Sequence, residues 1–174
     1  MEIQFNAMFK YLSERYVCTD VLESTILIPD ELQLLLQDQI LFSDDRIEVP
    51  PFGYISLNLD GHDNISHNED SNNHFHIKSF VDERSEDAVF KISVQMLKLL
   101  AQKFEHAGMT SIRCWLSFSS REMSKQWAIN NNLHTNGDEY FINERLSFFL
   151  RRENEAIIEV DEVDRTEAIL IIDI

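Results

Sequence analysis

Four of the chain's six histidines fall between His62 and His76, and Asp60, Asp63, Glu69 and Asp70 are set among them. Imidazole and carboxylate groups are the ligands that suit zinc and other divalent ions. His74 and His76 stand two apart in an extended stretch, so they share one face and form the candidate metal pair. The intervals match neither a calcium loop nor a zincin helix. Residues 60–73 also hold Gly61, two serines and four asparagines, with Ile65 as the one apolar side chain. That composition predicts a long exposed polar loop.

Other chemistry is missing. The sequence has no P-loop, dinucleotide fingerprint, nucleophile elbow, zincin helix or paired-cysteine metal site. Its four glycines leave few places where backbone can cradle a phosphate. His106 and His134 stand near turns, where a surface histidine is the common case. No catalytic residue is assigned, no cofactor is expected, and the balance leans away from an enzyme.

Charge is the strongest compositional signal. The chain carries 31 acids against 15 bases, for a net charge of -16. Residues 1–77 hold 14 acids and 3 bases (-11), residues 78–152 hold 9 and 11 (+2), and residues 153–174 hold 8 and 1 (-7). Such a chain is unsuited to direct nucleic-acid binding through phosphates, and its field steers it toward basic partners. Immunity proteins that neutralise nuclease toxins present carboxylates where the toxin expects phosphates. An acidic antitoxin-type inhibitor that masks a basic, toxin-like protein is therefore the expected function. Asp44, Asp45, Asp60, Asp63, Glu69 and Asp70 are its expected partner-binding residues. No apolar run is long enough to span a membrane, and residues 1–5 lack the pattern of a signal peptide. Cys18 and Cys114 read as reduced, buried thiols of a cytoplasmic protein.

The elements that would position these residues follow from periodicity. Phe5, Met8, Phe9, Leu12 and Tyr16 predict a helix over residues 1–17. Residues 24–28 read as a short strand. Asp30 and Glu31 open a second helix, whose leucine stripe runs from Leu32 through Ile40 and Leu41 and packs on the core or faces a partner. Residues 46–49 and 54–60 read as strands, interrupted by Pro50 and Pro51. Residues 74–81 read as another. Ser85 caps a long helix in which Val89, Ile92, Met96, Leu100 and Phe104 mark a broad apolar face, and Gly108 ends it. Residues 110–118 alternate as a strand, with Ile112, Cys114, Leu116 and Phe118 on one side and Arg113, Trp115 and Ser117 on the other. Ser119 and Glu122 are spaced as a capping box for a short helix. Asn136-Gly137-Asp138 is a turn. Residues 139–142 and 146–150 predict a hairpin with Asn143 and Glu144 at its tip. In the tail, residues 156–160 and 168–172 predict a hairpin or two added edge strands, packed on the core or on a second chain as a dimer contact.

These elements predict an α+β fold in one domain over residues 1–174, with a mixed or mostly antiparallel sheet and packed helices. An acidic part (1–77) and an acidic β-rich tail (153–174) flank the central unit (78–152). The order strand, long helix, strand, helix, hairpin resembles the second half of the Gcn5-related N-acetyltransferase (GNAT) fold. Trp127-Ala128-Ile129-Asn130-Asn131-Asn132-Leu133 stands where those enzymes end a helix. The resemblance implies an acyltransferase that holds coenzyme A on a glycine-rich loop before the long helix, with Tyr140 as a candidate acid. Here the matching stretch is Asp82-Glu83-Arg84-Ser85-Glu86-Asp87, with no glycine and four carboxylates that would repel a pyrophosphate. The alternative to the binding protein is thus an acyltransferase with a degenerate cofactor loop.

Overall fold

Asn6 divides the start of the chain into two elements, strand β1 (Glu2–Phe5) and helix α1 (Ala7–Arg15), where apolar periodicity predicted one helix. Its backbone is extended, and its side-chain Oδ1 accepts from the Phe9 N–H at 2.9 Å, which is N-cap geometry. The computed structural model describes residues 1–16, 28–37, 41–43, 46–48, 69–70, 73–81, 85–131, 141–153 and 167–174. The strands expected at 24–28 and 54–60, the turn at 136–138 and the run 156–160 lie wholly or mostly outside those residues, as do Pro50, Pro51, Cys18, His134 and Tyr140.

Helix α2 is described over Asp30–Gln37, and Leu41, predicted within its stripe, lies instead in strand β2 (Leu41–Ser43), which pairs antiparallel with β3 (Arg46–Glu48). Leu32 is buried and Leu36 packs partly against the core, while Leu34 is exposed, so one face of α2 meets the core. Strand β4 is only His74–Phe75 and gives way to a 3₁₀ turn, Ile77–Ser79. Helix α3 (Glu86–His106) buries Val89, Phe90, Val94, Leu97, Leu100 and Phe104, as its periodicity predicted. Ser85 is the N-cap but makes no side-chain cap bond, contrary to expectation. Gly108 has φ +71°, its N–H donates to Glu105 O at 2.9 Å, and the Met109 N–H donates to Phe104 O at 3.1 Å. That pair of bonds is a Schellman ending, which favours glycine at the left-handed position.

Strand β5 (Ile112–Ser119) runs one residue into the expected capping box, so the N-cap of helix α4 (Arg121–Asn130) is Ser120, whose Oγ accepts from Met123 N–H at 3.2 Å. Strand β6 (Asn143–Leu150) is continuous. Asn143 and Glu144 are not a hairpin tip but pair in register with Ser119 and Phe118. Strand β7 (Ala168–Asp173) closes the described chain. The five-stranded sheet has the order β1-β7-β5-β6-β4, and all neighbours are antiparallel. The isoleucine-rich tail run therefore lies inside the sheet, between β1 and β5, rather than at its edge. Every residue of β7 is buried, and so apolar a strand is a liability if left unpaired.

The architecture is α+β. One face of the sheet presents Ile112, Cys114, Leu116, Phe118, Leu146, Phe148, Leu170 and Ile172, which cluster with α3 and with Phe9 and Leu12 of α1. Phe90 meets Phe118 edge-on at 5.0 Å, and Phe104 meets Phe148 at 5.1 Å. Cys114 is a free thiol in this layer, and burial pushes its pKa up. Among the described residues no helix is long and apolar enough to cross a membrane.

Candidate functional site

Alternate residues of the same strands turn to the opposite face. There Trp115, Phe149, Ile169 and Ile171 form a second, small apolar cluster with charged groups around it. Arg113 and Asp173 are opposite one another in register on β5 and β7. Arg113 is 2% exposed and donates through Nε at 2.8 Å and Nη2 at 2.7 Å to the two Asp173 oxygens. Arg151 adds a third bond to Asp173, at 3.1 Å. The paired donors make this a bidentate, charge-assisted contact.

Asp70 serves the same face. Its carboxylate accepts from Trp115 Nε1 at 2.5 Å and from Arg145 Nη2 at 2.7 Å, and its carbonyl accepts from Ser147 Oγ at 2.8 Å. The Arg145 guanidinium also lies 5.3 Å from the Trp115 ring centre, a cation–π distance. Glu69 holds Arg152 with two bonds, at 2.7 and 3.1 Å, and accepts the Leu150 N–H at 2.9 Å. Ser117 donates to Glu167. The chemistry of this face is neutralisation: Glu69, Asp70 and Asp173 each engage at least one guanidinium.

Two expected partner-binding residues are thereby relocated. Glu69 and Asp70, predicted on an exposed loop, are 3% and 4% exposed and turned inward onto arginines of β6 and the residues after it. A buried carboxylate without such a partner carries a heavy desolvation cost, which the attraction of the arginines offsets in part. Asp44, Asp45, Asp60 and Asp63 lie outside the described residues.

His74 and His76 come together as expected, with rings 5.6 Å apart and edge-on. Among the described residues, no group of three or more His, Cys, Asp or Glu gathers to hold a metal ion. His76 Nδ1–H donates to the Glu144 carbonyl and lies 3.6 Å from Glu144 Oε2. Glu144 is fully buried on the apolar side of the sheet. Its Oε1 accepts the Lys78 N–H at 2.8 Å, while Oε2 has no hydrogen-bond partner among the described residues. Burial pushes its pKa above the ordinary glutamate range, against the pull of the Lys78 N–H and the nearby His76.

At the entrance to α3, Glu86 accepts the Arg121 N–H at 2.8 Å and the Tyr16 hydroxyl, and Asp87 pairs with Lys91 at 2.8 Å. Glu86 thus joins α1, α3 and the start of α4. Burial and the Glu86 contact raise the Tyr16 pKa. Residues 82–84 lie outside the description. Strand β5 pairs over its whole length with β6 and from Arg113 to Phe118 with β7. Among the described residues no V-shaped opening parts it from either neighbour.

Sequence reasoning gave no pairing or functional role to Arg113, Arg145, Arg152, Asp173 or Glu144. Arg113 did carry a signal, a charged residue among the large apolar side chains of a strand, where burial calls for a partner. No family model, curated protein or solved structure matches the chain. The likeness to the acetyltransferases stands on element order alone.

Proposed function

We propose that this chain is a non-catalytic acidic binding protein, an immunity or antitoxin-type inhibitor that masks a basic partner such as a nuclease toxin. The carrying observation is how its charge is distributed. Three buried acids take up Arg113, Arg145, Arg151 and Arg152, so arginines of the nearly neutral central unit are engaged internally. The rest of the sequence then holds 28 acids and 11 bases, a balance of -17 for the molecule to display. Helix α2 is one such display. Asp30 and Glu31 are exposed in its first turn, Leu34 is exposed one turn later, and its last turn has no base. An apolar anchor beside carboxylates is the composition that meets a basic protein surface. Asp44, Asp45, Asp60 and Asp63 extend the same reading.

The test is to express the reading frame adjacent to this one in its native genome, with and without this chain, and to follow growth. Affinity between the two products is then measured at about 0.05 M and about 0.3 M salt. The expected result is rescue of growth, and binding that weakens as salt rises. A harmless neighbour, or affinity indifferent to salt, counts against the reading. Saturable heat on titration with coenzyme A would replace it with the acyltransferase.

A further inference from the structure

Among the described residues, strand β1 is the outer strand of the sheet, and its hydrogen-bonding pattern shows which of its groups face away from β7. The Asn6 N–H donates to the Ile169 carbonyl, its direct partner in the register that pairs Gln4 with Ile171 and Glu2 with Asp173. In an antiparallel ladder, residues alternate between bonding to one side and to the other. Glu2 and Gln4 therefore bond toward β7, and the N–H and C=O groups of Ile3 and Phe5 point outward. Met1 and Phe5, two residues to either side of Ile3, are 53% and 49% exposed.

We infer that β1 pairs antiparallel with β1 of a second copy of this chain, about a two-fold axis at Ile3, to give one continuous sheet. That register sets Ile3 against its own copy as a mutually bonded pair. Met1 then lies opposite Phe5 of the second copy, and Phe5 opposite its Met1, so each exposed apolar side chain covers another. It also sets Glu2 opposite Gln4, an amide that already donates to the Glu2 carboxylate at 3.1 Å within one chain, so no acid faces an acid in the ladder. The pattern is self-complementary, as an isologous contact requires. The tail supplies the neighbouring strand β7 and not the contact.

Sedimentation of the full chain at about 0.05 M and about 0.5 M salt tests this, since two copies of charge -16 repel and salt screens them. The expected result is a dimer that tightens with salt, the opposite of the dependence expected for a basic partner. Phe5→Lys should raise the dimer dissociation constant at least about tenfold. Ile3→Pro, which deletes an outward N–H and spares the β7 ladder, should do the same. Phe5→Lys leaves the backbone donors in place, so it remains decisive if Ile3→Pro does not fold. Trp127→Lys, at an exposed site on α4, should leave the dimer unchanged. A monomeric mass at both salts, or a Phe5→Lys variant that dimerises like the parent, overturns the inference. So does a Trp127→Lys variant that loses the dimer.

Discussion

The two faces of one sheet bury carboxylates in opposite ways. Asp173 meets two guanidiniums, and its geometry with Arg113 uses both oxygens. Glu144, among the phenylalanines and leucines under α3, has one backbone N–H, and its other oxygen has no hydrogen bond among the described residues and only His76 at 3.6 Å. Both are almost wholly shielded from water. The difference lies in what the neighbouring strand presents at the matching position: Arg113 for Asp173, Phe118 for Glu144. Burial alone does not decide the cost of an acid; the cross-strand partner does.

The largest effect should come from breaking the paired side. Arg113→Ala leaves Asp173 buried with only Arg151, and should cost about 3 kcal/mol or more of unfolding free energy in urea. Replacing both, Arg113→Met with Asp173→Leu, should recover much of that loss, because the desolvation is removed along with the attraction. A double variant as weak as the single one would mean that the pair is worth more than its burial costs. Asp70→Asn should cost less, about 1–3 kcal/mol, since Arg145 is one-third exposed and water can replace part of the contact.

Glu144 should behave with the other sign. Its folded pKa is raised, so the fold prefers the neutral acid. Below the ordinary glutamate value of about 4.3, the group is neutral in both states and its contribution is fully present. As pH rises through the raised folded value, the fold must bury a charge, and that contribution is lost. Glu144→Gln does not titrate and keeps an oxygen for the Lys78 N–H. The variant should therefore gain on the parent as pH rises from about 4 toward 8, by about 1.4 kcal/mol for each unit of the pKa shift. Parallel stability curves across that range would show that Glu144 is solvated in a way its burial does not admit.

What the sequence revealed follows the same division between local and distant causes. Helix α3 and strand β5 were legible because their periods, 3.6 and 2, are written in consecutive residues. The ending at Gly108 was legible because one residue type suits it. The break at Asn6 was not, since Phe5, Met8, Phe9 and Leu12 keep helical spacing straight across it. Glu69 and Asp70 were placed on a loop surface because their neighbours in sequence are polar. Their true partners, Arg152 and Arg145, lie 83 and 75 residues further on. The tail was placed at an edge because nothing within it says that β1, more than 160 residues earlier, lies outside it. The informative clue was the charged residue in an apolar strand. Arg113 stood among large apolar residues and Asp173 just beyond the isoleucine-rich run, and they proved to be each other's partner.

The smallest effect should come from an ion pair with the same chemistry outside the sheet. Lys91 and Asp87 stand one turn apart on α3 at 2.8 Å, as short a contact as those of Arg113, yet Asp87 is half exposed. Distance is therefore matched and shielding is not. Lys91→Gln keeps the helix propensity and removes only the charge, so it should cost about 0.3–0.5 kcal/mol at low salt and nearly nothing at about 0.5 M. The loss on Arg113→Ala should change little over the same salt range, because a buried pair is poorly screened. Equal salt sensitivity at the two sites would mean that water and ions reach Asp173, and the distinction between the faces would then fail at its better-paired end.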